Sequence, residues 1–446
     1  MSDPTHDACR HTGVGRRGFL GLAGGTLASA GLASLLGTAP ASAAPVGGRP
    51  DAPLRFALVT DTHVNVDSPQ STVWLTQVWA SIAARNPDLV LHCGDITDTG
   101  RPEEFDRYAE VLPTALHGKM HYSPGNHDVR WDPSAKEDFH THFGPGPYSF
   151  DAGGVHFVGF DPTEVLQEPG HFGPGGLKWL KADLKRVRPG TPTVLFQHFP
   201  MGNTFYYVDD QPEVLDVLAD HDVRGIFAGH IHKEVVSGFN GLTQVGLNAV
   251  RNGALYYWVE RVESADGVPV LRVSRVNIGA DGTETQVPVS DMPLAGDGLG
   301  RPQRPRSVEV GRVDGGRLPV TVRLDKDAQV TSVAVDLYPQ TVFGGAATPA
   351  WKSLTAGSGH RWTGSIDISS VVPGTQRLRL QVTGADGSWW EDTARFEVER
   401  GADDPRLRWR YQVPGSVQGG SALSGTAANP AGVAPAPPRA LCGRGP

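Results

Sequence analysis

Gly125-Asn126-His127-Asp128 sets a neutral oxygen donor, an imidazole and a carboxylate side by side where a strand-like run turns into a loop. In isolation such a tetrapeptide is a turn whose side chains hydrogen-bond to their own backbone. Four further runs of the same character change that reading. Asp61-Thr62-His63 follows Phe56-Ala57-Leu58-Val59, and Gly94-Asp95 follows Leu89-Val90-Leu91. His198 follows Thr193-Val194-Leu195-Phe196, and Gly229-His230-Ile231-His232 follows Gly225-Ile226-Phe227. Each donor stands where an apolar strand ends. In a layered α/β fold the carboxyl ends of the strands share one rim, so residues far apart in sequence converge there.

The surrounding pattern fits such a fold. Between about Leu54 and Asn277 strands alternate with amphipathic helices: Leu75, Val78, Trp79 and Ile82 recur at helical spacing, as do Leu177, Leu180 and Leu184. Runs such as Thr193 to Phe196, apolar at every position, suit central strands covered on both faces. A hairpin is predicted between Tyr148 and Phe160, with Gly153-Gly154 at its turn. The first domain is placed at residues 50–290. Near Asp291 the chain becomes Gly/Pro-rich and linker-like, and residues 300–400 read as a smaller all-β domain of about seven short strands, immunoglobulin-like or fibronectin-like. Val320, Val322 and Leu324 alternate there, as do Leu378, Leu380 and Val382. Trp351, Trp362, Trp389 and Trp390 fit core and edge packing better than a sugar-binding face, although a cell-wall contact through this domain stays open. Residues 401–446 form a low-complexity tail, with disorder expected from about Gly420.

The first 43 residues carry an address. Arg16-Arg17-Gly18-Phe19-Leu20 is a twin-arginine pattern, followed by a diluted apolar run and the small-residue site Ala41-Ser42-Ala43. Cleavage after Ala43 would leave a mature chain without a membrane span, exported to the periplasm, cell wall or medium. The net charge of −8 excludes a general electrostatic pull towards nucleic acid or anionic membrane, so any anion is bound locally. Of three cysteines, Cys9 lies in the signal, Cys442 near the end and Cys93 within a strand, so they form no disulfide framework, and Cys93 reads as a small core residue.

The rim donors are Asp61, His63, Asp95, Asn126, His198, His230 and His232. They offer nitrogen and oxygen and no thiolate, which selects iron, manganese or zinc over copper(I) or an iron–sulfur cluster. Seven donors are too many for one tetrahedral ion and suit two ions sharing a carboxylate. His230 and His232, two apart, point to opposite sides of an extended segment and so to different ions unless the segment turns. His92, His121, His140, His142 and His156 are expected to be packed or hydrogen-bonded. Asn203 and Thr204, in the loop after His198, are candidate substrate contacts, a role that loop polarity alone explains equally well.

In this order, the five motifs resemble those of the calcineurin-like metallophosphoesterase family, over about half of the chain and with most likeness to its cyclic-nucleotide-phosphodiesterase-like branch. The resemblance implies an αββα sandwich of two sheets. It implies that Asp61, His63, Asp95 and His232 hold one metal and that Asp95, Asn126, His198 and His230 hold the other, with Asp95 bridging. It implies hydrolysis of a phosphodiester or phosphomonoester by a hydroxide bridging the two ions, with His127 facing the substrate as a stabilising or proton-donating group. A hydrogen bond from that imidazole to Asp128 is expected to orient it, so His127 and Asp128 are the catalytic candidates. Purple acid phosphatases lack the first histidine and carry a tyrosine three positions after the Gly-Asp aspartate; here His63 is present and Asp98 holds that position, so no tyrosinate colour is expected. A nucleotidase-type monoesterase, and a wall-associated binding protein with a structural metal site, are the alternatives. His127 separates the last of these, since a structural site has no use for an imidazole beside its ligands.

Overall fold

The computed structural model describes residues 53–202, 205, 207–338 and 350–399. The signal at 1–43, the tail at 401–446, Cys9, Cys442, Asn203 and Thr204 lie outside the described residues.

Three strands, Arg55–Val59 (β1), Leu89–Cys93 (β2) and Met120–Ser123 (β3), pair in parallel. The hairpin Tyr148–Ala152 (β4) and Val155–Gly159 (β5) begins a second sheet, followed by Thr193–Gln197 (β6), Val223–Ala228 (β7), Val235–Phe239 (β8) and Leu242–Gly246 (β9). The chain then returns to the first sheet with the meander Leu255–Glu263 (β10), Pro269–Ile278 (β11) and Glu284–Pro293 (β12). The first sheet runs β12-β11-β10-β1-β2-β3, and the second runs β8-β9-β7-β6-β5-β4.

Alternation along the strands divides the apolar residues between two faces. Phe56 and Leu58 of β1, Leu89, Leu91 and Cys93 of β2, Val194 and Phe196 of β6 and Phe227 of β7 meet in one core between the sheets. Phe56 lies edge-on to Phe157 and Phe227 across that gap, with ring centres 5.6 and 6.1 Å apart. The opposite face of the first sheet packs on helices Gln70–Arg85 (α1), Pro102–Val111 (α2) and Ala135–Phe143 (α3), and that of the second on Gly173–Leu184 (α4) and Gln211–Ala219 (α5). The result is the αββα sandwich, with the predicted helices at α1 and α4 and the predicted hairpin at β4–β5. Gly153 and Gly154 hold φ of 52° and 75°, which a two-residue turn of this twist requires.

One boundary differs from the sequence reading. The segment expected to open the linker at Asp291 is the end of β12, an edge strand running to Pro293 whose Met292 is buried in the inter-sheet core. Its exposed polar residues and its two prolines, Pro288 and Pro293, mask the alternation that marks the other strands.

The C-terminal part is all β among the described residues. Ser307–Val310 (β13), Arg317–Arg323 (β14), Thr355–Ala356 (β17) and Arg361–Asp367 (β18) form one sheet; Val330–Leu337 (β15), Lys352–Ser353 (β16), Gly374–Gly384 (β19) and Trp389–Val398 (β20) form its partner. Val320, Val322, Leu378, Leu380 and Val382 fill the space between them. The tryptophans are taken up by packing: Trp390 is buried, Trp389 stacks on Phe239 at 5.4 Å, and Trp351 lies under Arg379 at 4.5 Å. Trp389 also pairs with Phe239 in register, and Asn240 exchanges hydrogen bonds with Glu391, so β20 joins β8 and the second sheet continues as β16-β15-β19-β20-β8-β9-β7-β6-β5-β4.

Candidate metal centre

Five loops leave the carboxyl ends of β1, β2, β3, β6 and β7 at one rim, and all seven predicted donors stand on them. The backbone ladder continues past the strand ends: Asp61 N–H donates to Gly94 O (2.9 Å), His63 N–H to Asp95 O (3.0 Å) and Gly229 N–H to His198 O (2.9 Å). Glycines permit the close approach. A methyl at Gly125 would run into the Asp95 carboxylate, and one at Gly229 into Thr60 and Asp61. Five donors adopt left-handed backbone: Asp61 (φ 51°), His63 (41°), Asp95 (51°), His230 (70°) and His232 (51°). Each such residue costs about 1–3 kcal/mol, and strain concentrated this way marks a functional site. It also answers the question raised by spacing: the segment turns at both histidines, and each joins a different cluster.

In the first cluster, Asp61, His63, Asp95 and His232 present ligand atoms within 4.8 Å of one another, and in the second Asp95, His198 and His230 do the same. His63 Nε2 lies 3.2 Å from His232 Nε2, and His232 Nε2 lies 3.0 Å from Asp61 Oδ1. His198 Nε2 lies 3.1 Å from His230 Nδ1, and Asn126 Oδ1 is 3.0 Å from both nitrogens. Asp95 belongs to both groups through one atom: its Oδ2 is 3.4 Å from His63 Nε2 and 3.3 Å from His198 Nε2, while Oδ1 accepts the His127 N–H at 2.8 Å. Facing lone pairs at these separations repel unless a proton or cation lies between them. This nitrogen and oxygen set therefore fits metal ions of the iron, manganese or zinc type.

A second layer aims the imidazoles. His198 Nδ1 is 2.8 Å from Cys93 O, and His63 Nδ1 is 3.0 Å from Asp98 Oδ1, leaving each Nε2 to face the cluster. Burial pushes the Asp61 carboxyl up, but hydrogen bonds from His232 and His63 outweigh it and hold the group well below the usual carboxylate range. Burial acts likewise on Asp95, where His198 prevails and the group is lowered. The same carboxylates overcome burial at His63 and His198 and raise both imidazoles to about 9. His230 goes the other way, pushed by burial to about 3. The two buried carboxylates thus demand positive charge, which protons on His63 and His198 supply and which metal ions would supply in their place.

His127 stands beside this cluster, its ring centre 4.6 Å from that of His63. Its orientation departs from expectation. Asp128 does not touch the imidazole: its carboxylate accepts from Ile96 N (3.2 Å), Thr97 N (2.8 Å), Thr97 Oγ1 (2.8 Å) and Gly125 N (2.9 Å). It braces the loops after β2 and β3, because in so tight a turn the side chain folds back on its own backbone. Burial raises the Asp128 carboxyl to about 6. The imidazole is held instead by the Asp98 carbonyl, 2.7 Å from Nδ1.

Three neighbours escaped sequence reasoning. Asp98 orients both His63 and His127. Glu168 accepts from Asn126 Nδ2 at 3.1 Å, so that Asn126 Oδ1 faces the two histidines, and Arg130 pairs with Glu168. Only Asp98 lies inside a motif. The other histidines are packed as expected: His156 sits between Asp151 (2.6 Å) and Asp183 (2.9 Å), His121 stacks on Phe150, and burial pushes His92 to about 3. Burial raises the Cys93 thiol, in keeping with an inert core residue.

Convergent nitrogen and oxygen donors at the rim of an αββα sandwich define the metallophosphoesterase class. Residues 54–234 match the sequence model of the calcineurin-like phosphoesterase family. A probable cyclic nucleotide phosphodiesterase of Rhodococcus erythropolis is 26% identical over 202 residues, covering 41% of this chain and 66%, just under two thirds, of that protein. Another from a Synechococcus species is 28% identical over 208 residues, covering 43% of this chain and 77% of its own. Among solved structures, a purple acid phosphatase from yellow lupin (Lupinus luteus) seeds aligns over 55% of each chain with a TM-score of 0.41 and 13% identity.

Proposed function

We propose that the chain is an exported phosphoesterase that uses two metal ions to hydrolyse phosphodiester or phosphomonoester bonds. The observation that carries the reading is Asp95, whose single oxygen Oδ2 stands between His63 Nε2 and His198 Nε2. Asp61, His63, Asp95 and His232 would hold one ion, and Asp95, Asn126, His198 and His230 the other. When bound, such a pair supplies an activated water and the positive charge that a phosphate needs. The chain's own residues do the rest. Asp61 and Asp95 cancel two of about four metal charges and leave the site cationic in an acidic protein. The Asp98 carbonyl accepts from Nδ1–H of His127, which leaves Nε2 on the side of Arg130, 3.2 Å from its Nη2. There it can stabilise charge on the phosphate or, once protonated, assist the leaving oxygen. Export rests on the twin-arginine segment.

The test is turnover of bis(p-nitrophenyl) phosphate and p-nitrophenyl phosphate after loading with Mn²⁺, Fe²⁺ or Zn²⁺. Hydrolysis of either, abolished by chelation and restored by metal, supports the reading; two tightly held ions without turnover would favour the binding protein. The strained backbone of the histidine cluster, with His127 beside it, favours the enzyme.

A further inference from the structure

On the open side of the cluster stands a guanidinium that the metal donors do not use. The donors Asp61, His63, Asp95 and His198 are at most 2% exposed, whereas His127, Arg130 and Glu168 are 20%, 21% and 22% exposed at their side chains. Arg130 is thus partly exposed beside the cluster, as is the donor His232 at 30%. Its Nη2 donates to His127 Nε2 at 3.2 Å, Nη1 is paired with Glu168, and Cζ lies 4.2 Å from the centre of the Trp131 ring. Its Nε is buried and has no partner among the described residues.

These contacts describe a fork that is oriented but not saturated. The Trp131 face supports one side of the guanidinium plane, and Glu168 fixes its direction while also holding the Asn126 amide. The bond to His127 is a neutral-acceptor contact, weaker than the charge-assisted bonds a guanidinium makes to a phosphate oxygen. A planar fork is matched to two oxygens of one phosphate, and a lysine in its place would lose that match.

We propose that Arg130 is a further catalytic residue, which leaves His127 Nε2 to grip a non-bridging oxygen of the bound phosphate; this rests on the phosphoesterase reading. No proton moves in the exchange. One N–H changes acceptor from imidazole nitrogen to phosphate oxygen, and Nε2 of His127 is freed to face the leaving group. Glu168 sets the resting position and competes with the phosphate for the guanidinium.

The test uses the full, metal-loaded protein with inorganic phosphate as the probe, titrated calorimetrically. Arg130→Ala is expected to weaken phosphate binding about tenfold or more with metal content unchanged. Glu168→Gln, which removes the competing charge, is expected to tighten it. The double variant Arg130→Ala/Glu168→Gln should stay weak. Recovery of wild-type affinity in the double variant would overturn the proposal, because Arg130 would then only neutralise Glu168. So would phosphate binding unaffected by Arg130→Ala, or absent from the wild type. In turnover, Arg130→Ala should lower kcat/KM by a similar factor for p-nitrophenol and phenol leaving groups; a loss growing with leaving-group pKa would place Arg130 on the leaving oxygen and refute the grip. If wild type binds phosphate and metal yet hydrolyses no ester, the enzyme reading fails while phosphate binding still judges Arg130.

Discussion

Replacing Asp98 isolates what one carboxylate does for one half of the metal cluster. Its Oδ1 lies 3.0 Å from His63 Nδ1 but 3.8 Å from His127 Nδ1, so its bond is to the first-cluster histidine. That bond fixes the tautomer that leaves Nε2 free and makes the imidazole a better donor. The hydrogen bond from His63 also keeps the Asp98 carboxyl well below the usual range despite partial burial, so the charge persists through neutral pH. Losing such a partner typically costs 10–100-fold in metal affinity, about 1.4–2.7 kcal/mol. The side chain is one-quarter exposed, so solvent screens part of the charge effect. Asp98→Asn keeps the acceptor and loses the charge, and should fall near the tenfold end. Asp98→Ala loses both and strands the Asn65 amide, 2.8 Å from Oδ2, and should approach a hundredfold. The backbone carbonyl that holds His127 is retained in both. Competition with a chromophoric chelator gives two stepwise metal constants, and the loss should fall on one of them. Equal losses on both constants, or none, would refute the reasoning.

Other outcomes follow from the same geometry. His127→Ala should lower kcat with metal content intact, whereas Asp128→Asn, which sets an amide against four donors, should lower stability by roughly 2–4 kcal/mol; calorimetry and metal analysis separate the two. Gly125→Ala should cost metal before it costs fold, because the added methyl displaces the Asp95 carboxylate; a fully loaded variant would contradict this. At His156 burial opposes the charged form, but Asp183 and Asp151 win and raise the pKa. A raised folded pKa contributes stability that is complete below the unfolded value of about 6.5 and is lost as pH rises through the folded one. The melting-temperature gap between wild type and His156→Gln should therefore be wider at pH 6 than at pH 9, and a gap that widens with pH would overturn the assignment.

The rim was legible because every donor but Asn126 follows an apolar run, and such runs, Phe56 to Val59 or Thr193 to Phe196, end at the edge of a buried sheet. The two histidines at 230 and 232 were only half legible. Alternation assumes extended backbone, and φ of 70° and 51° breaks that assumption. Asp128 departs from expectation because adjacency in sequence is not contact: in the turn, Asp128 faces the β2 loop while His127 faces Asp98. Glu168 leaves no local signature, since it meets Asn126 from 42 residues away through a loop without periodicity. Arg130 carries no sequence signature of its own, since its setting depends on Glu168, which only the fold brings to it. β12 is blurred by its prolines and by the exposed first half of the strand, which leaves Met292 as its one buried residue.

The central claim is that the rim donors share two cations through Asp95. Anomalous diffraction from crystals of the protein loaded with Mn²⁺ or Zn²⁺ tests it most directly. The account predicts two peaks, roughly 3.5 Å apart, one on either side of Asp95 Oδ2. A single peak, or two peaks of which neither is in contact with Asp95, would contradict it.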